Sequence, residues 1–100
     1  MPKLTIAVPH QLSESEALDR VKGLLEDLKR EHAGTFSDLT EEWSGDSGKF
    51  SVKAMGMNVK GGLQVAPREV TLNGDLPFAA TPFKGRIEQM VRSRMEKLLA

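Results

Sequence analysis

Residues 36–76 read FSDLTEEWSGDSGKFSVKAMGMNVKGGLQVAPREVTLNGDL, and the reading of this stretch decides the fold. Leu63 and Val65 alternate with Gly62, Gln64 and Ala66, and Val70 and Leu72 with Thr71 and Asn73. Phe50, Val52 and Ala54 alternate in the same way with Ser51 and Lys53. A period of two buries one face and leaves the other wet, so the stretch predicts an antiparallel meander of four strands. Gly56-Met57 fits a two-residue hairpin with glycine at the positive-φ position of a type II′ turn. That turn sets Ala54 opposite Val59, Val52 opposite Gly61 and Phe50 opposite Leu63. Pro67-Arg68, counted the same way, sets Val65 opposite Val70, Leu63 opposite Leu72 and Gly61 opposite Gly74. All these pairs fall on the apolar face, so the two registers agree. Gly45-Asp46-Ser47-Gly48 turns the chain before Phe50, and Leu39, Glu41 and Trp43 share the inner face of the strand preceding that turn.

On the N-terminal side, Leu4, Ile6 and Val8 alternate with Lys3, Thr5 and Ala7, a further strand that Pro9 ends. Ser13 and Glu16 form a capping box. From there Ala17, Leu18, Val21, Leu24, Leu25 and Leu28 make one apolar stripe on a helical wheel, opposite Asp19, Lys22, Glu26, Lys29 and Arg30. Gly34 is the expected stop of that single helix. On the C-terminal side, Pro77 and Pro82 bracket a short connection, and Phe83, Ile87, Met90, Val91, Met95 and Leu98 stripe a last helix. The order is β-α-β-β-β-β-α. One apolar side on each helix and one on the sheet predict an α+β two-layer sandwich with both helices on one face. Alternating strand direction makes the first strand antiparallel to the fifth, and we place it beside that strand, for a five-stranded antiparallel sheet of order 2-3-4-5-1.

One hundred residues suit a single domain spanning 1–100. Lys plus Arg equal Asp plus Glu at 14 each, so no global field draws the chain to nucleic acid. The absence of cysteine removes disulfides, thiol nucleophiles and thiolate metal sites. The N-terminal residues are too few and too polar for a signal peptide, and no run approaches the roughly 20 apolar residues of a membrane span. A cytoplasmic protein is the expectation.

Few residues stand out for chemistry. His10 and His32 are isolated, with no metal-ligand spacing, so neither metal nor cofactor is expected. No nucleophile elbow, phosphate loop or dinucleotide fingerprint occurs, and no catalytic residue is assigned. Gly61 and Gly74, facing each other on the inner side, leave a dent that either a helix fills or a small apolar cavity occupies. Glu41 and Arg94 carry charge where the pattern calls for apolar side chains. Each must pair, reach an edge or line a wet pocket. Glu41 is the only acid on the predicted inner face of the meander. Arg94 therefore either meets Glu41 or lies at a sheet edge or subunit contact, which leaves a homodimer open. Glu41, Trp43, Gly61, Gly74 and Arg94 are the candidate ligand-binding residues. On the outer face, Lys53 and Lys60 are expected to stand directly opposite each other, an arrangement that would guard the face or attract an anion.

Leu4-Thr5-Ile6, the helix from Glu16 to Leu28, and Trp43-Ser44-Gly45-Asp46 before Phe50 together resemble a small bacterial family, the polyhydroxyalkanoic acid system or granule-region proteins. Gly61-Gly62-Leu63-Gln64-Val65, Val70-Thr71-Leu72 and Leu76-Pro77 before a Phe-led helix extend the resemblance over the whole chain. It implies a place in polyester-granule metabolism, with the granule surface or a granule-associated protein as partner, and brings no catalytic residues. The element order is also similar to a reduced helix-grip domain, a likeness of fold alone. Two functions follow as expectations: a non-enzymatic accessory or binding protein, or a carrier or sensor of an apolar hydroxyacyl or lipid-like ligand held between sheet and last helix. A cavity lined by Gly61, Gly74, Trp43 and that helix would favour the carrier; a filled core would favour the accessory protein.

Overall fold

A computed structural model describes residues 2–100. Its strands are β1 (Lys3–Pro9), β2 (Phe36–Ser44), β3 (Ser47–Ala54), β4 (Met57–Val65) and β5 (Glu69–Asp75). Its helices are α1 (Glu14–Val21), α2 (Leu24–Glu31) and α3 (Lys84–Leu99), the last entered through a 3-10 turn at Phe78–Phe83. All strand pairs are antiparallel and the sheet order is β1-β5-β4-β3-β2, as the alternation predicts. The inner-face side chains of β1, β3, β4 and β5 join the helices' apolar stripes in one core. α3 packs on β1, and α2 packs on β2 and α3.

The single N-terminal helix of the sequence reading is two. Ser13 caps α1 by accepting from the Glu16 N–H at 3.1 Å. The ladder then tightens at Gly23, whose N–H bonds Arg20 O instead of the carbonyl one residue earlier. Glycine is about 1 kcal/mol poorer than alanine inside a helix, so the break falls where it costs least. The stripe survives it, with Val21, Leu24, Leu25 and Leu28 all buried. The helix also stops before Gly34. His32 is its C-cap, and the N–H groups of Thr35 and Phe36 both bond His32 O, turning the chain early enough to bury Phe36.

Turn chemistry accounts for the other departures. The β4–β5 register is the expected one, including Gly61 opposite Gly74. The β3–β4 register is shifted by two: Ala54 faces Met57, Val52 faces Val59 and Phe50 faces Gly61. Its loop is Met55-Gly56, with φ of 53° and 78°, the double positive φ of a type I′ turn. A shift of two keeps every side chain on its face, but it separates Lys53 from Lys60. Lys60 faces Ser51 and Asp75, while Lys53 faces Asn58 and pairs with Asp38 at 3.4 Å. In β2 a bulge between Ser37 and Thr40, with Asp38 at φ 51°, lets Phe36 share a face with Leu39, Glu41 and Trp43. In α3 the buried positions are Ile87, Val91, Met95 and Leu99; Met90 and Leu98 are half-buried, and Phe83 leaves the stripe for solvent.

Two rows of residues cross the inner face from edge to edge. One is Leu4–Gly74–Gly61–Phe50–Glu41 and the next is Ile6–Leu72–Leu63–Gly48–Trp43. In both, an aromatic ring lies over the glycine directly across from it. A Cβ on Gly61 would stand 2.8 Å from Phe50 Cζ and would collide with the Asn73 carbonyl oxygen. One on Gly48 would stand 2.8 to 2.9 Å from the Trp43 ring. What is left of the dent is an apolar cavity of about 30 Å³ beside Gly74, bounded by Leu4, Leu25, Phe50, Ile87 and Val91.

The two facing glycines should therefore respond oppositely to alanine. At Gly74 the new methyl meets Val59 Cγ1 at 3.6 Å and Lys60 O at 3.7 Å, ordinary contacts. Gly74→Ala should stabilise by about 0.4–1 kcal/mol through the unfolded chain. Gly61→Ala should cost about 1–3 kcal/mol through overpacking. Urea titrations measure both, and equal effects at the two sites would contradict the close approach of the Asn73 carbonyl and the Phe50 ring to Gly61.

Candidate functional site

Of the charged and polar groups on the inner side, Glu41 finds its partner within its own strand, whereas Arg94 and His10 find theirs on neighbouring elements. Glu41 follows from the β2 alternation to a position opposite Phe50, and its Oε1 accepts from Trp43 Nε1–H at 3.2 Å. Side chains two apart on a strand point the same way, so this bond follows from the spacing. It ties the carboxylate to the half-exposed edge of the core.

Arg94 does not meet Glu41. Its Nη2 reaches Asp27 Oδ2 at 3.3 Å and its Nη1 reaches Glu31 Oε2 at 3.2 Å, both on α2; its side chain is 25% exposed. Asp27 and Glu31 are four apart on α2, so they stack along the helix edge that faces α3. That spacing was visible in the sequence and is the signal for this ion-pair set. Arg30 also donates to Asp27 at 2.6 Å. Burial pushes the Asp27 carboxyl up, but the hydrogen bonds from Arg30 and Arg94 and their charges outweigh it and hold the group below its ordinary value. Arg94 Nε is buried and has no acceptor among the described residues. Together with His32, Arg86, Ser93 and Lys97, Arg94 lines a polar groove of about 540 Å³ between the end of α2 and α3.

Both histidines hold structure. His10 is buried, and its Nε2 lies 2.9 Å from Ala66 O while its Nδ1 lies 3.1 Å from Leu12 N. A carbonyl only accepts and an amide N–H only donates, so the proton sits on Nε2 and both ring nitrogens are used. The ring thereby links the end of β1 to the β4–β5 connection. The His32 ring stands edge-on to Phe36 at 6.3 Å. At the same end as His10, Asp46 lies beside Glu14 and pushes the Glu14 carboxyl up, through a shared hydrogen bond first and then burial and like charge. Among the described residues no three His, Asp or Glu side chains are grouped to hold a metal, and no helix is long and apolar enough to cross a membrane.

Of the five candidate residues, the structure brings Glu41 to Trp43 and Gly61 to Gly74, and sets Arg94 apart from all four. Gly74 borders the small cavity; Gly61 lies beneath Phe50. Asp27, Glu31, Arg86 and Lys97, which the apolar pattern does not select, complete Arg94's surroundings.

A double-mutant cycle on Arg94→Met and Asp27→Asn should show coupling of about 1 kcal/mol or more, whereas Arg94→Met and Glu41→Gln should add. The depressed Asp27 pKa fixes the pH dependence. Its contribution is complete above the unfolded-state value and is lost as pH falls through the folded-state value. Asp27→Asn should therefore flatten the acid side of the stability profile. Parallel acid limbs for the two proteins would contradict the pairing.

No curated protein matches the chain. The family model described as "Putative polyhydroxyalkanoic acid system protein" matches residues 4–99, the same span over which strand starts, turns and helix stripes carry the resemblance. The chain belongs to that polyhydroxyalkanoic acid system family.

Proposed function

We propose that the protein is a non-catalytic, cytoplasmic accessory component of polyhydroxyalkanoate metabolism that acts through its surface, with the granule or a granule-associated protein as partner. The family supports the metabolic setting. The observation that carries the mode of action is the closed dent. With the Phe50 ring over Gly61, the space beside Gly74 is about 30 Å³. An apolar protein cavity that takes one benzene is about 150 Å³. A hydroxyacyl chain is larger still, so a carrier would have to displace Phe50 and break the packing of a whole row of the sheet. Both nitrogens of His10 are held by backbone groups, which leaves that imidazole without a free nitrogen for proton transfer.

The test compares chemistry with assembly. Purified protein incubated with hydroxyacyl thioesters or polyester should form no product and retain no acyl group on extraction. Deleting its gene in polymer-accumulating cells should change granule number or size while leaving the polymer's chemistry intact. Turnover by the purified protein, or a stoichiometric acyl ligand, would overturn this reading. So would granules that are indifferent to the deletion.

A further inference from the structure

The connection between β5 and α3 presents apolar side chains to water on a well-anchored turn. Leu76 is fully buried and Ala80 nearly so, and they pin the segment from inside. Pro77 sets its entry with φ −66° and ψ 155°. Between these anchors Phe78 is 74% exposed and Phe83 38% exposed, the two exposed large hydrophobics of the described residues. Ala79, Thr81 and Pro82 are also exposed, and no charge interrupts Leu76–Phe83. An ordered turn that holds a phenylalanine in water forgoes the roughly 1.5–3 kcal/mol that its burial would return.

Charge is distributed around this turn. Lys84 follows Phe83 directly, and Arg86 lies in the same first turn of α3, which has no acidic residue and no side-chain cap. Positive charge at a helix N-terminus is unfavourable unless an anion offsets it. Lys3 and Lys60 flank Asp75, one residue before the turn begins. None of Lys3, Lys60, Lys84 and Arg86 is in a salt bridge among the described residues. The chain as a whole is neutral, so this cationic end is a local asymmetry. Glu14 and Asp46 lie together at the opposite end, where β1 finishes and the β2–β3 and β4–β5 turns lie and where Glu69 is offset by its neighbour Arg68.

We propose that this end docks on an anionic phospholipid surface, with Phe78 and Phe83 entering the acyl boundary and Lys84, Arg86, Lys3 and Lys60 meeting headgroup phosphates. Apolar insertion plus basic residues at the rim is the chemistry of interfacial binding. A neutral polyester would use the aromatics and leave the cations idle. A protein partner would need about 800 Å² on this side, far more than two aromatic side chains offer. The inference stands on geometry and charge alone and does not depend on the metabolic role proposed above.

Vesicle co-sedimentation tests it with the whole chain. The protein should pellet with vesicles carrying phosphatidylglycerol and remain in solution with phosphatidylcholine alone. Phe78→Ser should weaken binding at least about tenfold. Charge reversal of Lys84 and Arg86 together should do the same, and high salt should release the protein. Both sets lie at exposed or half-exposed positions, so thermal melts should match the parent. A Phe78→Trp variant should keep binding and shift its fluorescence to the blue on anionic vesicles, beyond any change in the parent's one tryptophan, Trp43. The proposal fails if no vesicle binds the protein or if neutral vesicles bind it equally. It also fails if polyester particles bind it regardless of Lys84 and Arg86, or if inorganic phosphate abolishes vesicle binding at an ionic strength at which chloride does not. Loss of self-association in Phe78→Ser without loss of vesicle binding would assign the turn to a dimer contact.

Discussion

The Phe50 ring over Gly61 is the contact on which the rest of this sheet depends. A glycine pair on the inner face of two central strands removes side-chain volume that a core must replace, because interiors are packed to crystal density. Phe50 replaces it from the neighbouring strand, and this requires the β3–β4 register that sets Phe50 and Gly61 opposite each other. Two-residue slippage would preserve the buried face but leave the ring above Leu63 and the dent open. The type I′ turn at Met55-Gly56, with a non-glycine residue at positive φ, is the local cost of the register that closes the core. Trp43 over Gly48 repeats the device one row along, nearer the edge, where the indole also bonds Glu41.

Strand number, order and direction, the inner-face residues and the β4–β5 register were legible because a period of two and a Pro-containing turn admit one solution. The β3–β4 hairpin was not, since Ala-Met-Gly-Met accommodates two turn types and both keep apolar residues inward. Only volume, the need for a ring over Gly61, separates them. The bulge at Asp38 was hidden for a related reason: Phe36 and Leu39 differ in parity, and an irregular residue has to absorb the difference. Gly23 interrupts an otherwise continuous stripe, and the stripe alone cannot distinguish one bent helix from two.

The candidate site was legible in part. Pairing of Gly61 with Gly74 followed from strand counting, and the Glu41–Trp43 bond follows from their two-residue spacing. For Arg94 the apolar pattern leaves Glu41, a sheet edge and a subunit contact open and does not point to α2. The acids that pair with Arg94 lie on that neighbouring helix, where Asp27 and Glu31 occupy the edge of the stripe, so helix–helix contact rather than helix–sheet contact satisfies the guanidinium. The exposed turn at Phe78 was obscured because Phe83 fits the α3 wheel. The 3-10 segment changes the phase before the helix starts, and the ring turns outward. The resulting molecule has a closed interior and a chemically uneven surface, the two features on which the proposal of surface recognition for this member of the polyhydroxyalkanoic acid system family rests.

Proton NMR of the chain in solution tests the closed core most directly. With the ring seated on the glycine, the Phe50 ring protons should show strong NOEs to Gly61 Hα, and ring current should move Gly61 Hα upfield. Absence of those NOEs, with Phe50 ring protons instead contacting Leu63 across the strand or exposed to solvent, would contradict the account and restore an open dent between sheet and helices.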